Sequence, residues 1–224
     1  MQPHSPKKPT PLTVALSAPQ RPPATPLSVF ELARGWYQDG RSLCMGEIAK
    51  AAGISRGTLQ RWVGSKENLL NEILWCLAKP LFEQAVRETP GNGVDHVVGV
   101  HRHFMSALLA SVTLNQFICN EPNYALRLLT NTDSPVSRRL MRLFAAHLEE
   151  QVARGHLLTE VPAEQIARFM LPVNQAILIN GHFSGRMAAL DRALALVRIL
   201  LASSHLPEVQ TALAQTAPTV ETIE

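Results

Sequence analysis

From Leu27 onward, apolar residues recur three and four positions apart, and no stretch alternates apolar with polar residues for long enough to make a strand. That spacing confines the chain to one class of fold, because stripes of this period are buried only when helices pack on helices. The pattern predicts helices at 28–39, 45–52, 55–62, 65–88, 94–113, 122–130, 134–154, 163–183 and 189–203. Breaks are expected at Asp39-Gly40, Gly53, Gly64, Pro90-Gly91-Asn92-Gly93, Pro122, Ser134-Pro135, Gly155, Pro162 and Gly185. A chain of 224 residues can bury a sizeable core without staples. It carries no fixed-period repeat that would suggest a solenoid.

The two ends read differently. Residues 1–26 hold eight of the sixteen prolines, so no helix or sheet can propagate there, and a disordered, partly extended arm is expected. Such an arm suits a nucleic-acid groove and serves equally as a solvated tail. The tail from 207 to 224 is expected to fray. The net charge of +3 is unevenly placed: the arm contributes +3, residues 27–70 contribute +2, and the remainder, with twelve basic and fourteen acidic side chains, contributes −2. The positive excess therefore lies in the first third, as expected of a segment that meets a polyanion.

Cys44, Cys76 and Cys119 are odd in number and widely spaced, without a C-x-x-C pair, which argues for a reducing compartment and against a disulfide framework. ALALVRILLA is too short for a membrane span and is interrupted by Arg198; LTVALSA is too brief and proline-flanked for a signal-peptide core. These features imply a cytoplasmic protein with no membrane partner.

The most informative stretch is ISRGTLQRWVGSKENLL, residues 54–70. Before it, Met45, Ile48, Ala49 and Ala52 form a narrow apolar stripe on a two-turn helix that Gly53 ends. Ser55 is placed to cap the next helix, with Ile54 and Leu59 as a hydrophobic staple across its start. Leu59 and Val63, with part of Trp62, form the anchoring side, leaving Arg56, Gly57, Thr58, Gln60 and Arg61 on the other. Two short helices joined by a tight glycine turn make a helix-turn-helix, whose second helix enters the DNA major groove. Arg pairs bidentately with guanine, Gln with adenine, and a Thr methyl meets that of thymine. Gly64-Ser65-Lys66-Glu67 then opens a long helix whose free N–H groups, together with Lys66, suit a phosphate. An ordinary αα corner with a solvated face has the same spacing.

AKAAGISRGTLQRWVGSKENLL, preceded by FELARGWYQDG, resembles the DNA-binding domain of the TetR family of repressors. Gly53, Ser55, Gly57, Thr58, Leu59, Ser65, Lys66, Glu67, Leu69 and Leu70 carry the match, which covers about residues 27–75. The resemblance implies an all-α protein with an N-terminal three-helix DNA-binding domain (27–72) and a larger helical ligand-binding and dimerisation domain (73–206). It also implies DNA contacts from Ser55, Arg56, Gly57, Thr58, Gln60, Arg61, Trp62 and Lys66. Gln60 stands where the family usually has Tyr, Trp62 where it has His or Tyr, and Val63 where it has Phe. The Trp-Val-Gly run resembles the subgroup typified by quorum-signal-degradation (QsdR-like) regulators.

In the remaining two thirds, Ile166, Met170, Val173 and Ile177 form one face of the penultimate helix, and Leu190, Leu194, Val197 and Leu201 one face of the last. The resemblance implies a homodimer interface there; an intramolecular core would use the same faces. Pro172 is expected to kink its helix or remove a backbone bond. Trp75, Phe82, His101, Phe104, Phe117, Tyr124, Asn174 and Gln175 are candidate ligand contacts, as aromatic or isolated polar residues on apolar helices. His101 follows Val94, Val97 and Val98 at helical spacing, so it suits a satisfied core histidine as well as a ligand contact. His101 and His103 diverge at i and i+2, so no metal site is expected, nor any cofactor.

The function expected is a ligand-responsive homodimeric repressor that reads a near-palindromic double-stranded operator, with half-sites ~34–36 Å apart, and releases it on binding a small-molecule effector. An activator would share the architecture. A helical adaptor is the alternative among binding proteins. An enzyme would have to draw on His101, His103, Cys119, Glu149 and Glu150, yet the sequence has no G-x-S-x-G, HExxH or phosphate-loop motif.

Overall fold

The computed structural model describes Thr10 and residues 23–159, 161–180 and 186–203. Most of the expected arm, the helix end expected at 181–183, the Gly185 break and the C-terminal tail lie outside the described residues. Among the described residues the chain is all-α, with no strand. In order, the helices are α1 (Pro26–Gln38), α2 (Met45–Ala52), α3 (Arg56–Val63), α4 (Lys66–Glu88), α5 (Gly93–Ala110), α6 (Val112–Asn120), α7 (Pro122–Thr130), α8 (Pro135–Ala153), α9 (Ala163–Asn180) and α10 (Arg186–Ser203).

Side-chain caps fix many of the starts. Thr25 and Ser28 form a reciprocal capping box ahead of α1. The hydroxyls of Ser55, Ser65, Ser111 and Ser134 accept from the backbone N–H groups of Thr58, Asn68, Leu114 and Ser137. Gly53 closes α2 in the left-handed region, with φ of 70°. A side chain would be strained there, and the reversal it permits sets α3 across α2.

One expected helix divides in two. The stretch predicted at 94–113 stops at Ala110, and α6 starts after a single non-helical residue, its axis turned by 56°. Ser111 caps α6, while Asn115 Nδ2 donates to the carbonyls of Leu109 and Ser111 at 3.0 and 2.9 Å, satisfying groups left open at the end of α5. Side chains thus do here what a glycine or proline does at other breaks.

Two apolar cores result, and α4 belongs to both. Leu69, Leu70 and Ile73 join Val29, Trp36, Ile48 and Leu59 of α1–α3, and this head core runs on into Leu114 and Phe117 of α6 and Ala125 and Leu128 of α7. Further along α4, Ala78, Phe82 and Ala85 enter the body core with Phe104, Phe144 and Leu148. The rings of Phe82, Phe104 and Phe144 stand 5.2–5.7 Å apart in tilted and edge-on pairs. Helix α9 lies on α8, and α10 on α5.

That packing corrects the expected subunit interface. Ile166, Met170, Ile177, Leu190, Leu194, Val197 and Leu201 are buried in this chain's own body core, and Val173 packs half-buried against it. The strongest apolar stripe of each helix is claimed by the nearest intramolecular partner, because burial there needs no second chain. The opposite sides of α9 and α10 still expose large apolar side chains, Phe169, Leu196 and Ile199 among them. Among the described residues, no single helix is long and apolar enough to cross a membrane.

Candidate nucleic-acid interface and interior cavity

Helix α3 buries only Leu59 fully. Ser55, Arg56, Gly57, Gln60 and Arg61 are exposed, while Thr58 and Trp62 are half-buried beside Leu59. This is the division that a capped, stapled two-turn rod imposes: one side chain plugs the head core and the polar side faces outward. Ser55 Oγ accepts from Thr58 N at 3.0 Å and lies 3.0 Å from Thr58 Oγ1, so its hydroxyl is committed to the cap. The Arg56 guanidinium rests against Gly46 of α2, where a Cβ would come within 2.5 Å of Nη2. Arg61 Nη2 reaches Thr58 Oγ1 at 3.4 Å and is otherwise directed outward on an exposed residue. Gly57 has no heavy atom nearer to an added Cβ than Ser55 Oγ at 3.8 Å, so the fold leaves that position open.

Lys66 departs from the expected role. Its ammonium is not presented as a free phosphate ligand: it pairs with Glu121 at the α6–α7 junction and lies 4.5 Å from the centre of the Tyr124 ring. The two side chains of the pair are only 17% and 11% exposed. Glu121 also accepts from Ser42 Oγ at 2.8 Å and from Leu43 N at 3.3 Å. Burial by itself would raise the Glu121 pKa, but the bonds from Lys66, Ser42 and Leu43 N and the Lys66 charge outweigh it and hold the carboxyl below its usual range. One carboxylate therefore fastens the start of α4 and the α1–α2 loop to the body. Two further ties anchor α4 to α8. Glu72 accepts a bidentate pair from Arg139, both bonds 2.7 Å, and Asn71 Oδ1 accepts from Val136 N at 3.2 Å.

A cavity of about 390 Å³ lies where the two cores meet. Its walls are aliphatic for the most part, with Leu74, Leu77 and Leu81 of α4 facing Leu108, Leu140 and Leu178. Among the described residues, no Lys, Arg, His, Asp or Glu lines it. Of the eight expected ligand contacts, the cavity brings together Phe104, Asn174 and Gln175. His101 stands behind that wall, its Nε2 2.7 Å from Asn174 Oδ1, which places the ring proton on Nε2. Burial lowers its pKa to about 4 against the opposing pull of the Asn174 bond, so the ring is neutral near pH 7. Gln175 Nε2 donates to Ser137 Oγ at 3.1 Å.

The other expected contacts lie elsewhere. Phe82 is buried behind Phe104 and Phe144; Phe117 stacks at 48° on Tyr37 in the head core. Trp75 lies beneath the Arg139 guanidinium, and Tyr124 carries Lys66 and Arg127 over its ring. Aromatic residues on an apolar helix are as useful to a core or to a surface cation as to a ligand, which is why residue type did not separate these sites.

Residues 92–202 match the family model described as the tetracyclin repressor-like C-terminal domain. Those residues form a tetracyclin repressor-like C-terminal domain. Among solved structures it is similar to the TetR-family transcriptional repressor QsdR of R. erythropolis, with a TM-score of 0.73 at 22% identity over 79% of this chain and 94% of that one. It also resembles Thermus thermophilus FadR, a TetR-family repressor solved with lauroyl-CoA (TM-score 0.56, 22% identity, 81% and 95% covered). A third similar structure is AlkX of Dietzia sp. strain DQ12-45-1b, a TetR-family repressor implicated in n-alkane biodegradation (TM-score 0.55, 20% identity, 84% and 96% covered). At these identities the likenesses establish the fold. No curated protein matches the sequence.

The departures from the TetR-like head motif have distinct places. Gln60, in place of the usual Tyr, is exposed on the polar side of α3, whereas Trp62 and Val63 are half-buried against the head core. Residue-by-residue reading did not find Glu121, Arg139 or Tyr37. The first two are surface-type charges whose partners lie 55 and 67 positions away. Tyr37 belongs to a head helix, yet it lines the cavity.

Proposed function

We propose that the chain is a homodimeric, ligand-responsive transcriptional repressor. Its residues 27–72 form the DNA-binding head, and 73–206 the ligand-binding and dimerisation body. The observation that carries this reading is α3: a capped helix anchored through Leu59 whose outward side offers Arg56, Gly57, Gln60 and Arg61. Arg61 and Gln60 supply base-edge hydrogen bonds, Gly57 admits close approach to the groove, and Thr58 and Trp62 flank the contact. Lys66 is left out of the DNA contacts because Glu121 holds it.

Two chains pair through the second stripe of α9 and α10, where Phe169, Leu196 and Ile199 are exposed, in a two-fold arrangement that places both copies of α3 on successive major-groove faces. The effector occupies the 390 Å³ cavity. The complex of the similar FadR with lauroyl-CoA supports a ligand-binding reading. Ligand binding releases the operator by favouring a state with a different spacing between the two α3 helices.

The test is footprinting of the purified protein on the DNA flanking its own gene, followed by titration at several salt concentrations. A protected near-palindrome is expected, with affinity falling steeply as salt rises. Arg61→Ala should weaken binding by about tenfold or more. Protection that is absent, or an Arg61→Ala variant that binds like wild type, would refute the assignment of α3.

A further inference from the structure

Among the described residues, two that line the cavity, Tyr37 and Asn174, each carry a buried side-chain atom without a hydrogen-bond partner, Oη and Nδ2. Both side chains are deeply buried, at 3% and 5% exposure. A buried donor left unmade costs free energy, so native proteins rarely keep one without a water or a ligand to receive it. The other polar side chains of the wall are engaged. Ser111 caps α6, and Ser137 and Gln175 bond one another.

The donors are fixed in kind. Burial raises the Tyr37 pKa far above its ordinary value, so the phenol keeps its proton. His101 Nε2–H occupies Asn174 Oδ1, so the amide is turned with its NH₂ unpaired. Both unmade bonds therefore call for an acceptor on the ligand. The surrounding wall is mainly aliphatic and offers no ionic partner, so a buried carboxylate or ammonium would lose its hydration with no counter-charge to replace it. At ~30 Å³ for each water-sized molecule, the volume holds a ligand of about a dozen heavy atoms.

We propose that the cavity takes an uncharged, mainly aliphatic molecule of that size bearing carbonyl-type acceptors, and that one acceptor is held by the Tyr37 hydroxyl. The consequence lies in where Tyr37 sits. It is the penultimate residue of α1, in the head, tilted against Phe117 of α6 with ring centres 5.6 Å apart. A ligand bonded to it touches the DNA-binding head directly, without relying on α4 to carry the signal. The inference rests on the ligand-responsive reading given above and assigns the chemistry of its cavity.

The test titrates the full-length protein, without DNA, with three probes of similar size: methyl nonanoate, decanoate and undecylammonium. The ester is expected to bind at least about tenfold more tightly than either ion. Its carbonyl stretch should move to lower frequency on binding. Tyr37→Phe should weaken ester binding about fivefold and return part of that frequency shift. Because the hydroxyl has no protein partner, the ligand-free variant should melt no lower than wild type. An ion that binds as tightly as the ester overturns the ligand class, as does failure of the ester to bind at saturation. Ester affinity and carbonyl frequency unchanged in Tyr37→Phe overturn the Tyr37 contact. Since operator DNA is absent, these results stand apart from repression: an ester that binds as described but leaves operator affinity unchanged supports the cavity chemistry and refutes the ligand-responsive reading alone.

Discussion

The Lys66–Glu121 pair should contribute more than an ordinary surface ion pair, and the structure sets the scale. Exposed pairs are worth about 0.2–1 kcal/mol because water and salt screen them. This pair is less than one-fifth exposed on either side, and its carboxylate also accepts from Ser42 and Leu43 N. Hydrogen bonds to a charged group are worth about 1.5–3 kcal/mol each. Glu121→Gln keeps an acceptor for Ser42 and Leu43 N while removing the charge. Lys66→Met keeps the stem while removing the ammonium. A double-mutant cycle by urea denaturation near pH 7 should give a coupling of about 2 kcal/mol, tempered by the Tyr124 ring, which still stabilises the unpaired ammonium by about 0.5–1 kcal/mol. The sign with pH follows from the lowered Glu121 pKa. The folded state holds the carboxylate ionised where the unfolded state begins to protonate. The stabilisation is therefore full above the ordinary carboxylate value, roughly 4.3, and disappears as the pH falls through the lower folded value. The gap between wild type and Glu121→Gln should be constant from neutrality to about pH 5.5 and close in acid. A coupling below about 0.5 kcal/mol at neutral pH would refute the reasoning, since that is the scale of a solvated pair.

Three other outcomes are expected. Gly57→Ala should raise stability by about 0.5–1 kcal/mol, because α3 gains a better helix former and the added Cβ meets nothing closer than 3.8 Å; a bulkier Gly57→Leu should fold equally well and lose operator affinity, and a drop in melting temperature for the alanine variant would show a hidden constraint. The neutral, buried His101, with its pKa near 4 against an ordinary 6.5, should cost the fold about 3 kcal/mol as the pH falls between those values, because the unfolded chain takes up the proton first; His147, also lowered by burial and by His96, adds in the same direction, and His101→Gln should flatten the stability–pH curve over that window. Leu196→Glu, at a 63% exposed site, should leave the helical content intact and shift the sedimenting species from dimer to monomer, whereas Leu194→Glu, at a buried site two residues away, should unfold the chain; a Leu196→Glu protein that stays dimeric would move the interface elsewhere.

How legible each element was depended on whether its signal is local. Helices α2 and α7 have the bounds that glycine, proline and periodicity predict, Met45–Ala52 and Pro122–Thr130, because a helix end is decided by the few residues around it. The α5–α6 break was not legible: ALLASVTLNQF has neither glycine nor proline, and the turn is stabilised by Asn115 folding back on the carbonyls of Leu109 and Ser111. The outward side of α3 was legible for the same local reason, since Leu59, with Val63 and part of Trp62, supplies its anchoring side. Lys66 was not, because its electrostatic partner is distant in sequence. The body showed a subtler failure. Periodicity finds the stripe that leads into the core, and on α9 and α10 a core stripe and a partner-facing stripe have the same spacing; the apolar side left uncovered is the weaker one, marked by Phe169 and Leu196. The cavity fell between these cases, because Leu74, Leu108 and Leu140 look the same in sequence whether they close on each other or enclose a space.

Helix α4 brings these parts into one mechanical unit. Its first turn is fastened through Lys66 to Glu121, and its second is tied through Asn71 and Glu72 to the start of α8. Its next two turns supply the cavity wall at Leu74, Leu77, Ala78 and Leu81. Polar ties of this kind resist sliding because each loses a charged or buried bond when displaced. A ligand that pushed only on the wall of α4 would therefore work against three anchors before moving α3. Contact with Tyr37 acts on one of these anchors alone, since α1 packs directly on the head core and its last turn borders the Glu121-bound loop at Ser42 and Leu43. Coupling between two sites is typically about 1–3 kcal/mol, near the worth of one such tie, so loosening the Glu121 anchor through α1 would supply the energy that the proposed release of the head requires.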